Sequence, residues 1–148
     1  MGADRIDLLP LMTATSDHLT AYSLMDISLD PFPYAGTTTT CESLYMGVPC
    51  LTLSGSCHAH NVGVSLLTAV GLESEWVASS TQQYVDMAVK AAASIHELAK
   101  LRASLRQRML DSKLCDAPAF MQGLANAYRA MWQEQMAQAK PELEHPTA

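Results

Sequence analysis

The sequence predicts an α/β protein: a parallel sheet of about four strands, helices on its faces and a further helix at its C-terminal end. Three observations predict it. Short apolar runs bounded by Pro, Gly and Asp have the length and punctuation of strands. Longer segments, apolar at every third or fourth position, alternate with them as helices do. Nothing repeats internally, which excludes a solenoid. Strands separated by helices at this spacing pair in parallel through right-handed crossovers, and about four of them make half of a doubly wound lobe.

Residues 6–11 (IDLLPL) predict a first short strand, with Pro10, which has no N–H to donate, at its end. Thr15, Ser16 and Asp17 offer N-caps for a helix that runs through Tyr22 and Leu24. Residues 26–30 predict a second strand, after which Pro31, Pro33 and Gly36 turn the chain. Helical spacing from Thr37 to Met46 is stopped by Gly47 and Pro49. Residues 50–53 predict a third strand, closed by Ser54, Gly55 and Ser56, and a helix over residues 61–70 ends at Gly71. Residues 75–78 predict the fourth strand.

Ser80 and Gln83 then have capping-box spacing. Tyr84, Ala88, Ala91, Ile95, Leu98, Leu101, Leu105 and Met109 follow as one apolar stripe on a single long helix. Residues 111–118 break it. A last helix over residues 119–137 puts Phe120, Leu124, Tyr128 and Met131 on one face. Residues 1–137 are expected to form the folded unit and residues 138–148, with two prolines, a flexible tail.

With 148 residues, 49% of them hydrophobic and 16% charged, the chain can bury a core and has the opposite balance to a disordered protein. A net charge of −6 argues against a nucleic-acid backbone or an anionic membrane as the main partner. Lys100, Arg102, Arg106 and Arg108 read as a solvated helix face. Cys41, Cys50, Cys57 and Cys115 show no C-x-x-C spacing and stand in apolar or helical segments, a pattern of reduced, buried thiols. No apolar run approaches the ~18 residues of a membrane span, and the first residues lack a signal-peptide layout. A soluble protein of the cytoplasm or nucleus is expected.

Ligands of open α/β sheets bind beyond the carboxyl ends of the strands. There the segment from Ala35 to Thr40 (AGTTTT) leads from the second strand into a helix. It supplies Gly36, backbone N–H groups at a helix N-terminus and the hydroxyls of Thr37, Thr38, Thr39 and Thr40. These suit a phosphate or diphosphate, and Glu42 one turn on could reach ribose hydroxyls. A helix capped by one Thr, with the others solvated, fits the same residues. Cys57, His58 and His60 open onto the same rim, as metal ligands or as a loop lining the cleft; no further His or Cys at ligand spacing supports a metal. His18 reads by itself as a residue of the first helix. No Ser/His/Asp or Cys/His arrangement stands out, so no catalytic group is assigned.

The run DISLDPFPYAGTTTTCESLYMGVP from Asp26, continued by GSCHAHNVGVS from Gly55, resembles the protein O-GlcNAc transferase family and within it the SPINDLY members. The similarity extends from Arg5 to Trp132. It implies a GT-B layout, two Rossmann-like lobes with the donor between them, of which this chain matches the second part of the C-terminal lobe. In that family a Gly-rich turn with two threonines holds the donor diphosphate and an acidic residue one turn on binds ribose. Those roles fall on Gly36, Thr38, Thr39 and Glu42, and His18 stands where the family sets a histidine against the base. Thr37 replaces a histidine of the animal enzymes, and Glu42 an aspartate. Both departures follow SPINDLY, whose members transfer fucose from GDP-fucose, so GDP-fucose is the donor implied and UDP-GlcNAc the alternative. The acceptor implied is a Ser or Thr hydroxyl of an intracellular protein, with neither cofactor nor metal. The family's tetratricopeptide repeats, N-terminal lobe and phosphate-binding lysine have no counterpart here. A fragment inactive by itself is therefore expected, or else a non-catalytic nucleotide-binding or interaction remnant of the fold.

Overall fold

A computed structural model describes residues 3–138. Among these residues the sheet has three strands, β1 (Ser28–Leu29), β2 (Cys50–Leu53) and β3 (Val77–Ala78), all parallel and in that spatial order. Ser28 pairs with Cys50 and Thr52 with Val77, so β2 is central. Its Cys50, Leu51 and Thr52 are buried, as a strand covered on both faces requires. Seven helices surround it among the described residues: α1 (Thr15–Ala21), α2 (Thr38–Tyr45), α3 (Val62–Ala69), α4 (Glu73–Trp76), α5 (Thr81–Ala93), α6 (Ile95–Leu110) and α7 (Ala117–Gln138).

The core forms where these elements meet. Leu44 of α2, Leu51 of β2, Leu67 of α3 and Leu105 of α6 are all at most 1% exposed, and burying each contributes about 1.5–3 kcal/mol. Helix α2 ends as its sequence requires. Gly47 takes a φ of 78°, its N–H donates to the Leu44 carbonyl, and the Val48 N–H donates to the Ser43 carbonyl at 2.8 Å. Helix α6 then fastens α2 from outside: Arg106 donates to the Tyr45 carbonyl at 2.7 Å and lies over the Tyr45 ring, while Arg102 donates to the Met25 carbonyl and pairs with Asp26. Part of the basic run expected to be a solvated face is thus a set of tertiary contacts.

Several expectations need correction. Residues 6–11 form no strand; Leu8 and Leu11 are about nine-tenths exposed, and Pro10 has no N–H to give to a ladder. The fourth expected strand shrinks to Val77–Ala78. After Gly71 the chain coils again, with the Trp76 N–H donating to Leu72 at 3.0 Å and the indole buried in the core. The single long helix is two, α5 and α6, parted at Ser94. There the side chain donates to the Lys90 carbonyl and the backbone leaves the helical region. Ile95, placed on the stripe, is 70% exposed because the break shifts the phase. The N-cap position of α1 is Ala14, without a side-chain bond, so Thr15, Ser16 and Asp17 lie inside the helix. Ser80 does cap α5 by accepting the Gln83 N–H, but the Gln83 side chain bonds Ser79 rather than closing the box. Helix α7 buries none of its residues, and Phe120, Tyr128 and Met131 are more than half exposed. Gln138, assigned to the tail, ends α7; the rest of that expected tail lies outside the described residues.

This division between core and α7 is testable by urea unfolding followed by circular dichroism. Leu44→Ala should lower stability by about 2–5 kcal/mol through the cavity it leaves, and Met131→Ala by less than about 0.5 kcal/mol. Equal losses would contradict the assignment of the core.

Candidate functional site

The carboxyl ends of β1 and β2 open onto two loops, residues 31–37 and 54–61, joined by a hydrogen bond from the Ala35 N–H to the Ala59 carbonyl at 3.1 Å. Asp30 stands where β1 ends and is 3% exposed. Its N–H continues the sheet ladder to Leu51. One carboxylate oxygen accepts the Gly36 N–H and the other the Thr52 hydroxyl, both at 2.7 Å, and its carbonyl accepts the Tyr84 hydroxyl at 2.9 Å. Gly36 is required by shape, since a Cβ there would lie 2.7 Å from the Thr40 hydroxyl and 3.1 Å from Asp30. Its amide is committed to Asp30, so Gly36 contributes close approach rather than a free donor.

Helix α2 starts directly after this turn. Its first backbone bond runs from the Cys41 N–H to the Thr37 carbonyl, which leaves the amides of Thr38, Thr39 and Thr40 outside the helical ladder at the positive end of the helix dipole. Thr37, Thr38 and Thr39 are exposed, and their hydroxyls make no hydrogen bond among the described residues; Thr40 is buried beneath them. Free amides and hydroxyls converging at a helix start can receive an anion.

One turn on, Glu42 faces α1. His18 Nε2 lies 2.9 Å from Glu42 Oε2. The Tyr22 hydroxyl approaches the same oxygen and the Thr39 carbonyl, each at 3.2 Å. The structure therefore brings His18, Thr39 and Glu42 together around Tyr22. Beside them a cleft of about 610 Å³ is lined by Leu9, Pro10, Leu11 and Met12 on one side and by His18, Ala21 and Tyr22 on the other. Apolar walls next to a polar rim suit an aromatic base.

The second loop is held by Asn61, whose amide accepts from the Gly55 N–H at 2.9 Å and donates to the Gly55 and Cys57 carbonyls. His58 to His60 form a 3-10 turn on its rim. Among the described residues, no group of three or more His, Cys, Asp or Glu side chains is placed to share a metal ion. Asp30, Thr52, Tyr22 and Asn61 are the residues that reading the sequence missed. A usable signal existed for the first two, because a carboxylate and a hydroxyl at the ends of adjacent strands would face each other.

Burial, and then the Glu42 charge, pushes the Tyr22 phenol from 10.0 up to about 12. Burial, helped by Cys50 and Asp30, does the same to Tyr84, also to about 12. Burial, followed by the Asp30 charge, raises the Cys50 thiol from 9.0 to about 11. All three hold their protons more tightly folded than unfolded. The stability they contribute is complete below pH 9 and is lost as pH rises from 9 through 12. Urea unfolding repeated from pH 8 to pH ~11.5 should show stability falling above pH ~9; a flat or rising profile would contradict this burial.

Residues 1–124 match the family described as Glycosyl transferase family 41. The chain is 61% identical over 128 residues to a protein of Hordeum vulgare named "Probable UDP-N-acetylglucosamine--peptide N-acetylglucosaminyltransferase SPINDLY", covering 86% of this chain and 14% of that one. It is 59% identical to the Arabidopsis thaliana protein of the same name, covering 90% and 15%. A relative named SEC, also from Arabidopsis thaliana, is 32% identical over 117 residues. Among solved structures, a mutant O-GlcNAc transferase of Thermobaculum terrenum superposes with a TM-score of 0.84 at 38% identity, over 92% of this chain and 26% of that one. This chain thus spans about one seventh of the length of its SPINDLY relatives. With the match running through α1, the Gly36 turn and α2, the chain belongs to glycosyl transferase family 41.

Proposed function

We propose that this chain is the donor-binding part of a protein O-glycosyltransferase. The observation that carries the reading is the unladdered start of α2, with Thr38 and Thr39 exposed, lying inside the family match and beside the His18–Glu42 pair. The diphosphate of a nucleotide sugar sits against the Thr38 and Thr39 amides and hydroxyls, Thr37 borders it, and Gly36 lets it approach. Glu42 accepts from the ribose, and the base enters the cleft beside His18. In the transfer step the acceptor Ser or Thr oxygen attacks the anomeric carbon. The bond from that carbon to the diphosphate breaks, the hydroxyl proton passes to a base outside this set of residues, and the α2 amides take up the charge of the leaving group.

The donor is GDP-fucose or UDP-GlcNAc. The Thr37 and Glu42 departures favour the first, and the names of the SPINDLY relatives the second. Free thiols at Cys41, Cys50, Cys57 and Cys115, the last two exposed rather than buried as expected, support a reducing setting, the cytoplasm or nucleus. Because the chain spans 14–15% of those relatives, transfer by these 148 residues alone is not part of the proposal. A non-catalytic remnant would keep the cradle and never transfer in any longer form.

The test pairs the chain with a complete enzyme carrying this segment. With GDP-fucose, UDP-GlcNAc and a protein extract, the chain alone should transfer nothing and the complete enzyme one of the two sugars. In the latter, Thr38→Ala with Thr39→Ala should weaken nucleoside diphosphate binding by up to about 3–6 kcal/mol, the worth of two hydrogen bonds to a charged ligand. Unchanged affinity by calorimetry would remove both threonines from the site, and transfer by the 148-residue chain would contradict its expected inactivity.

A further inference from the structure

We propose that Tyr22 is the positioning residue of the ribose-binding carboxylate, fixing Glu42 so that it discriminates ribose from deoxyribose. The inference rests on the reading of Glu42 given above and adds a residue to it. Tyr22 is 7% exposed and sits where α1 passes into a 3-10 turn. Its single hydroxyl proton is placed between two acceptors, Glu42 Oε2 and the Thr39 carbonyl. The ring meets His18 edge-on at 5.7 Å between centroids, and His18 Nε2 approaches the same Glu42 oxygen.

Three features make this an orienting device. Glu42 Oε2 is engaged from two sides, while Oε1 makes no hydrogen bond among the described residues and is free to accept from a ligand. A glutamate has three side-chain torsions, and holding one oxygen removes most of the conformers that a ligand would otherwise have to select. The phenol also keeps its proton to about 12, so it is a donor towards the carboxylate throughout the neutral range. The bridge to the Thr39 carbonyl ties the carboxylate to the turn that carries the anion-binding threonines, so the ribose and diphosphate contacts share one rigid support.

The experiment measures the ratio of affinities for a nucleoside diphosphate and its 2′-deoxy counterpart, for GDP and UDP in turn, by saturation-transfer NMR on the full chain at millimolar ligand. The parent chain should prefer the ribonucleotide by roughly tenfold or more, the worth of one hydrogen bond to a charged group. Glu42→Gln should bring that ratio towards one. Tyr22→Phe, which keeps the ring that lines the cleft and removes only the hydroxyl, should do the same.

A ratio that persists in Tyr22→Phe but falls in Glu42→Gln overturns the role of Tyr22 and leaves the site standing. A parent chain without preference, or without binding, overturns the site and the proposal together. Equal losses for both nucleotides in Tyr22→Phe mean that Tyr22 acts only through the fold, which also overturns it. Should Tyr22→Phe fail to fold, 3-fluorotyrosine at position 22 probes the same bond with a stronger donor. A higher ratio supports the proposal and an unchanged one counts against it.

Discussion

Asp30 joins three parts of the molecule, two through its carboxylate and one through its carbonyl. It fixes the Gly36 turn through one oxygen and the end of β2, at Thr52, through the other, while its carbonyl receives Tyr84 from α5. A carboxylate buried to this degree would cost several kcal/mol if unpaired, and each of its oxygens accepts a hydrogen bond. The packing around it is correspondingly close. A Cβ on Gly63 would lie 2.6 Å from Asp30, so α3 is drawn against the same group. The turn into α2 takes its position in part from this one side chain.

The same constraint divides the labour among the backbone donors. A negative group beside a turn proposed to receive an anion looks self-defeating, yet the Gly36 amide and the Thr52 hydroxyl each donate to Asp30, and the amides left over are those of α2. These point along the helix dipole, where an anion is stabilised by about 0.3–1 kcal/mol per charge at an exposed site. That is modest, and it explains why exposed threonine hydroxyls and a second support from α1 accompany it. The site joins a rigid floor, built from strand ends, to a wall formed by α1 and residues 9–12.

Much of this was legible in the sequence, and the limits were physical. The α2 segment was readable because it is punctuated at both ends, by Gly36 and the threonines and by Gly47 and Pro49, and punctuation is a local property. The third strand was readable because its four residues are continuously apolar or β-branched. Residues 6–11 misled because their apolar content is real but unpaired: Leu8 and Leu11 are exposed, and pairing is not encoded locally. The break at Ser94 was hidden for the opposite reason, since the stripe before and after it faces one core and one serine shifts the phase. At the site, Gly36, Thr38 and Thr39 announced themselves by type. His18 was placed only by family resemblance, and Asp30 and Tyr22 were missed because their roles arise from contacts across 6 to 54 positions.

The central claim is that the β1–α2 turn and α1 form a single nucleotide site organised from beneath by Asp30. The most direct measurement is a map of backbone amide shifts in the ¹⁵N-labelled chain as GDP, and separately UDP, is added to millimolar concentration. The largest shifts should fall on Thr38, Thr39 and Thr40, with a second set at His18, Tyr22 and Glu42, and both sets should titrate with one affinity. Shifts gathered instead in the groove between α5 and α6, around Met87, Leu98 and Leu101, or two sets with different affinities, would contradict it.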